Sequence, residues 1–173
     1  MTPLESDLGW AAGLIDGEGH ICLEKKRAWA PGPSFAPRVA VYNCNEAIVT
    51  RFARIVGCGT IRLGKRKDPT KHRQAFQWRV GGQDAIAVCR LLLPYLSKRD
   101  QAGLLIQAGP LILSAGRPRG RQNPNIAKLE RLHRELRKLT KRGPRNEESI
   151  TLPMISEDRQ LQLPVVRRGE GDG

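Results

Sequence analysis

The chain has 173 residues, one domain's worth and enough for a buried core. Its 30 Lys and Arg against 17 Asp and Glu leave a net charge of +13, which makes nucleic acid the expected partner class and selects no activity by itself. Cys22, Cys44, Cys58 and Cys89 form no C-x-x-C pair and have no His at zinc spacing, which argues against a zinc cluster and suits reduced, buried thiols. The N-terminus shows no basic-then-apolar leader, and the longest apolar run, Gly103 to Gly116, is interrupted by Gln107 and Pro110. The expectation is a soluble intracellular protein, of the cytoplasm or an organelle matrix, with no membrane partner.

Taken in chain order, the first element is a helix leading into an acidic pair. Leu8, Ala12 and Ile15 fall at the i, i+4, i+7 spacing of one face. Gly9 and Gly13 thin the helix, and glycine inside a helix costs about 1 kcal/mol relative to alanine. Close approach of another helix is the usual reason for carrying that cost. Gly17 and Gly19 then break the helix and leave Glu18 at its C-terminal end, where the partial negative charge of the helix disfavours a carboxylate unless a cation is bound. His20 to Arg27 alternates, with Ile21 and Leu23 on one face and His20, Cys22, Glu24 and Lys26 on the other, so a strand is expected.

Ala30 to Pro37 reads as a Pro-rich turn, and Arg38 to Asn43 as a returning strand with Val39 and Val41 inward. Asn45 is placed to cap a helix whose apolar stripe is Ile48, Phe52 and Ile55, ended by Gly57-Cys58-Gly59. Thr60 to Leu63 starts a third strand, Lys65 to Lys71 is a basic loop, and Phe76, Trp78 and Val80 alternate with Gln77 and Arg79 along a fourth, closed by Gly81-Gly82. Asp84 to Leu96 and Arg99 to Gly109 read as helices, with Ile86, Val88 and Leu91 to Leu93 toward the core. A last helix starts at Asn123-Pro124, carries Leu129, Leu132, Leu136 and Leu139, and stops at Gly143-Pro144. Residues 1–142 therefore form the expected folded domain. Residues 143–173, with four basic residues, six acids and a Gly-rich end, form an expected extended or disordered tail.

The segment Ala11-Ala12-Gly13-Leu14-Ile15-Asp16-Gly17-Glu18-Gly19 resembles the defining motif of the LAGLIDADG homing endonucleases, with Ala11 for the leading Leu, Gly17 for the middle Ala and Glu18 for the second Asp. The resemblance implies an α+β fold: an αββαββα core whose four-stranded antiparallel sheet forms a saddle over DNA, with further C-terminal helices. It assigns Glu18, with the Gly17 carbonyl, to Mg²⁺ (or Mn²⁺), and Asp16 to support of the helix turn. No second copy of the motif occurs, so the resemblance implies a homodimer paired through this helix, with Gly9, Ala12, Gly13 and Asp16 at the interface, acting on a pseudo-palindromic site. The implied activity is metal-dependent hydrolysis of both strands of duplex DNA, leaving short 3′ overhangs.

Outward strand residues supply the expected DNA contacts: Lys26, Arg38, Tyr42, Arg62, Gln77 and Arg79 on the sheet, and Lys65, Arg66, Lys67, Lys71 and Arg73 in or beside the basic loop. Arg and Gln can read base edges bidentately, whereas loop cations suit phosphates. Asn43 matches a position where related enzymes carry an amide that positions water, and is equally a pre-helix turn asparagine. Lys98 matches the family's lysine between two late helices, a group able to activate water or neutralise charge on the phosphate; the alternative is an ordinary loop lysine beside Arg99. A rival function on the same fold is a non-cleaving nucleic-acid-binding protein, either an intron RNA maturase or a DNA-binding regulator.

Overall fold

The structure, a computed structural model, describes residues 3–26, 33–64, 73–114 and 123–140. Lys65, Arg66, Lys67 and Lys71, the end of the last expected helix beyond Thr140 and the expected tail lie outside the described residues. The elements run α1 (Glu5–Glu18), β1 (Gly19–Lys26), β2 (Ser34–Asn43), α2 (Glu46–Val56), β3 (Thr60–Leu63), β4 (Phe76–Gly81), α3 (Gln83–Leu92), α4 (Arg99–Leu113) and α5 (Ile126–Thr140). This is the expected αββαββα order followed by further helices. The four strands form one antiparallel sheet in the order β1-β2-β4-β3.

Alternation divides the sheet into two faces. Ile21 opposes Val39, which opposes Val80, and Val41 opposes Trp78. These side chains are buried, and α1, α2 and α3 pack on β2 on that side. Trp78 is its largest fully buried side chain: it meets Phe52 edge-on with ring centroids 4.7 Å apart, and its Nε1 donates to the Cys58 carbonyl at 2.8 Å. A Cβ on Gly59 would sit 2.4 Å from that Nε1, so the glycine just before β3 is required by the packing of the indole. Asn45 caps α2 by accepting the Ala47 N–H, and Gly57 closes it in the left-handed region at φ 69°.

Several expected boundaries shift for local reasons. β2 begins at Ser34, not Arg38, and includes Pro37, which pairs with Leu23. The Pro37 carbonyl accepts from Gly82 N–H at 3.1 Å, beyond the last β2–β4 pair, so the N–H that proline lacks points off the end of β4 and costs no ladder bond. α4 runs through Pro110 to Leu113, where Asn123 and Asn125 side-chain amides both donate to the Leu111 carbonyl and close the helix end. α3 stops at Leu92 instead of Leu96, and α5 starts at Ile126 because Asn123 and Pro124 form the preceding turn, in which Asn123 Oδ1 accepts the Asn125 N–H.

Burial also corrects the side-chain faces. On α2 the buried positions are Val49, Phe52 and Val56, with Ile48 and Ile55 at the margin. On α3, Leu92 is buried while Leu91 turns outward, 38% exposed; on α5, Leu129 and Leu136 are buried and Leu139 is 44% exposed. A helix turns 100° per residue, so three consecutive leucines cannot share one face. α5 lies against β1 through Lys25–Glu130 at 2.8 Å and the 2.7 Å contact of His133 Nδ1 with the Leu23 carbonyl, and reaches the start of β2 through the His133–Phe35 ring contact.

Candidate functional site

The motif forms the C-terminal half of α1 and the corner into β1. Helix geometry gives α1 two faces: Ala11, Ala12 and Ile15 are buried in the chain's own core, while Gly13, Gly17 and Glu18 are exposed. Gly9, Gly13 and Gly17 recur every four residues, and a Cβ built at any of the three would meet nothing within 4 Å. The thin face of the helix is therefore open in the single chain. Ala12, expected beside Gly9 and Gly13 at an interface, is 0% exposed and faces the other way; Gly17 continues the open line in its place.

The corner itself is held by a compact set of hydrogen bonds. Asp16 accepts the Ser97 N–H at 2.8 Å with one oxygen and the Lys98 N–H at 3.0 Å with the other, placing its charge at the N-terminus of α4. Lys98 Nζ returns across the same junction, donating to the Ile15 carbonyl at 2.8 Å and the Gly19 carbonyl at 2.9 Å. Burial lowers the Lys98 pKa below its ordinary value, and the nearby Asp16 carboxylate partly offsets that. Gly19 packs directly onto the helix end, since a Cβ there would lie 2.5 Å from the Ile15 oxygen. Both Asp16 oxygens are thus engaged within the chain, and Lys98 is bound to backbone carbonyls.

Glu18 emerges from this braced corner as the last residue of α1, exposed, with no hydrogen-bond or ion-pair partner among the described residues. Gly17 belongs to the last helical turn, whose carbonyls receive no N–H from the helix itself. One exposed carboxylate beside such a carbonyl is a hard oxygen donor pair of the kind that Mg²⁺ takes. Among the described residues no group of three His, Cys, Asp or Glu side chains is arranged to hold an ion, so within one chain the donor set is partial.

The helix-free face of the sheet begins next to that carboxylate. Its first row is Tyr42, Gln77 and Arg62, directly opposed across β2, β4 and β3; the next is His20, Ala40, Arg79 and Thr60; then come Cys22 and Arg38 opposite Gly81, and finally Glu24 and Lys26 on β1. Gln77 Nε2 donates to the Tyr42 hydroxyl at 2.6 Å. Lys26, Arg38, Tyr42, Arg62, Gln77 and Arg79, all expected on this face, stand on it. Arg73 is exposed just before β4. Arg38, Thr60, Arg62, Arg79 and Gly81 share a cleft of about 430 Å³. Burial, reinforced by Glu24 and opposed by Arg38, pushes the Cys22 thiol up to about 11, so it is a small neutral member of the face.

Asn43 ends β2, and its Oδ1 accepts the Asn45 N–H at 2.8 Å, the turn role that the sequence also allowed. Two features escape sequence reading. Glu24 bonds Arg38 on the sheet face, although strand alternation had placed it on that side. Arg51 lies over the Trp10 ring, 4.3 Å from its centroid, and pairs with Asp7 at 3.0 Å; this contact joins α2 to α1 across a sequence gap that no local pattern spans.

No protein-family model matches the chain, and no curated protein matches it in sequence. Solved structures match its fold. The homing endonuclease I-CvuI, crystallised with a DNA target and magnesium with the DNA not cleaved, is 24% identical over 82% of this chain and 86% of that one, with a TM-score of 0.65. The group I intron-encoded homing endonuclease I-CeuI, complexed with DNA, is 13% identical over 84% of this chain and 72% of its own, with a TM-score of 0.64. The LAGLIDADG homing endonuclease I-LtrWI, bound to target DNA, is 12% identical over 73% of this chain and 42% of its own, with a TM-score of 0.59. The chain has the LAGLIDADG homing-endonuclease fold. Among the described residues, no helix is long and apolar enough to cross a membrane.

Proposed function

We propose that this protein is a site-specific endonuclease that hydrolyses both strands of a long, roughly two-fold duplex DNA site and leaves short 3′ overhangs. The observation that carries the reading is the placement of Glu18: an unpartnered carboxylate held by a braced helix end, at the edge of a sheet face bearing Tyr42, Gln77, Arg62 and Arg79. A lone acid facing a polyanion is unfavourable unless a cation lies between them. Glu18 and the Gly17 carbonyl would hold Mg²⁺ or Mn²⁺, which supplies Lewis-acid stabilisation of charge on the phosphate and a water nucleophile of lowered pKa.

The chain's own residues do the rest. Lys26, Arg38, Arg62, Arg73, Gln77, Tyr42 and Arg79 bind and register the duplex, joined by Lys65, Arg66, Lys67 and Lys71 as phosphate contacts. Asp16 and Lys98 fix the corner from which Glu18 projects, and Lys98 and Asn43 are the candidates to steady water or phosphate. Two copies pair through the open face of Gly9, Gly13 and Gly17, bringing two partial donor sets together. Residues 1–142 constitute this endonuclease domain.

Cleavage of a randomised duplex library by the full-length protein in Mg²⁺, with the ends sequenced and Glu18→Gln run in parallel, tests the proposal. Cutting at one roughly symmetric site is expected, with cutting abolished and binding retained in the variant; undiminished cutting by Glu18→Gln would overturn it. A second reading, a nucleic-acid-binding protein on the same fold that does not cut, draws on one observation: the Lys98 ammonium is already engaged by two backbone carbonyls. Binding of duplex DNA or folded intron RNA without cutting by the wild-type protein would favour it.

A further inference from the structure

Arg62 and Arg79 have no ion-pair partner among the described residues, but Arg38, on the same sheet face, does. Arg38 Nη1 forms an ion pair with Glu24 Oε1 at 2.9 Å, and the other Glu24 oxygen lies 4.0 Å from Lys26 Nζ. The strand register produces this contact: Arg38 directly opposes Cys22, and Glu24 opposes Ala36, so Arg38 and Glu24 are diagonal neighbours on one face. Both side chains are about a third exposed, at 30% and 31%. An exposed pair of this kind contributes little to stability, a few tenths of a kcal/mol to about 1 kcal/mol. Its main consequence is orientation.

The residues beside Arg38 leave room for a ligand. Cys22 on β1 and Gly81 on β4 are the directly opposed neighbours, one small and one without a side chain, and Gly81 forms part of the cleft that Arg38 shares with Arg62 and Arg79. The guanidinium is therefore tethered at one nitrogen, with its other N–H groups unbonded among the described residues. Arg38 stands three ladder positions beyond the Gly19–Val41 pair, about 10 Å along the strand, away from Glu18.

We propose that Arg38, oriented by Glu24, reads a guanine in the major groove, with Arg38 the specificity-determining residue and Glu24 a positioning residue that acts through it. The inference rests on the sheet face being the DNA interface of the proposed function. Guanine presents two acceptors, N7 and O6, to the groove, whereas adenine presents an N6 donor where guanine has O6. A guanidinium has donors only, so the tethered fork pairs with guanine and meets a like donor on adenine. Untethered Arg62 and Arg79 lack that orientation and suit phosphates or looser base contacts.

The test is selection of bound sequences from a randomised duplex pool by full-length protein with Mg²⁺ omitted, for the wild type, Arg38→Ala and Glu24→Ala. The wild type is expected to prefer guanine roughly ten- to hundredfold at one symmetry-related pair of positions. Arg38→Ala erases that preference and Glu24→Ala weakens it about tenfold, with every other position unchanged; a merely structural role would lower binding evenly across the site. Arg38→Lys and Glu24→Gln serve if either alanine variant unfolds, the lysine keeping the charge but losing the fork and with it the discrimination. An unaltered base profile in the Arg38 variant overturns the reader, and an unaltered profile in the Glu24 variants overturns the positioning role. A wild-type protein that binds without selecting any sequence removes this inference and the specific-endonuclease reading together, whereas selection insensitive to Arg38 removes only this one.

Discussion

Lys98 has two chemistries open to it, and its geometry separates them by measurement. Its ammonium donates to the Ile15 and Gly19 carbonyls at the C-terminal end of α1. Charge-assisted bonds of this kind typically contribute about 1.5–3 kcal/mol each; the Ile15 carbonyl keeps the Gly19 N–H when the ammonium is removed, so the loss stays toward the lower end. Lys98→Met is therefore expected to destabilise the fold by about 2 kcal/mol, read as a lower denaturant midpoint with an unchanged slope. A Lys98→Met protein that loses cleavage at unchanged stability would place the lysine's role at the phosphate alone. The family resemblance pointed to Lys98 through its position between two late helices. It could not indicate which atoms the ammonium touches, because Ile15 and Gly19 lie about 80 residues away and meet it only when α1 docks on the α3–α4 turn.

At the level of the element, α1 shows how far local pattern reaches. The spacing of Leu8, Ala12 and Ile15 identified the inward face, and Ala12 and Ile15 are buried there. The glycines have no space to save within the monomer, since a side chain at Gly9, Gly13 or Gly17 would meet nothing. Their helix-propensity cost of about 1 kcal/mol each thus has no compensation inside one chain. Gly13→Ala is expected to stabilise the isolated chain by up to about that amount while weakening self-association, as measured by thermal unfolding at low concentration and sedimentation equilibrium. Unchanged association would overturn the proposed pairing through this face. Strand positions were legible for the same reason as the helix face: period-two alternation assigned Ile21, Val39, Trp78 and Val80 inward. The start of β2 was not, because Pro37 resembles a turn residue until its position off the end of β4 is known.

On the scale of the whole molecule, charge and topology act together. The four strands place Lys26, Arg38, Arg62 and Arg79 on one face, and the helices cover the other. A two-fold pair would present that set twice. With about 6–10 phosphate contacts, affinity for duplex DNA is expected to fall roughly 10³–10⁵-fold between about 50 and 200 mM salt. A shallow salt slope in a fluorescence-anisotropy titration would argue that the basic face does not carry binding.

Amino-acid order alone determined the helix and strand sequence, the inward face of each strand, the caps at Asn45 and Gly57, and Glu18 as the exposed end of α1, because these depend on backbone periodicity and on contacts within a few residues. Tertiary structure decided what the polar groups meet: Asp16 hydrogen-bonds Ser97 and Lys98, Lys98 hydrogen-bonds Ile15 and Gly19, and Arg38 is ion-paired with Glu24 rather than alone. A side-chain hydrogen bond needs its partner within about 3 Å, and only strand register and helix docking bring together residues so distant in sequence.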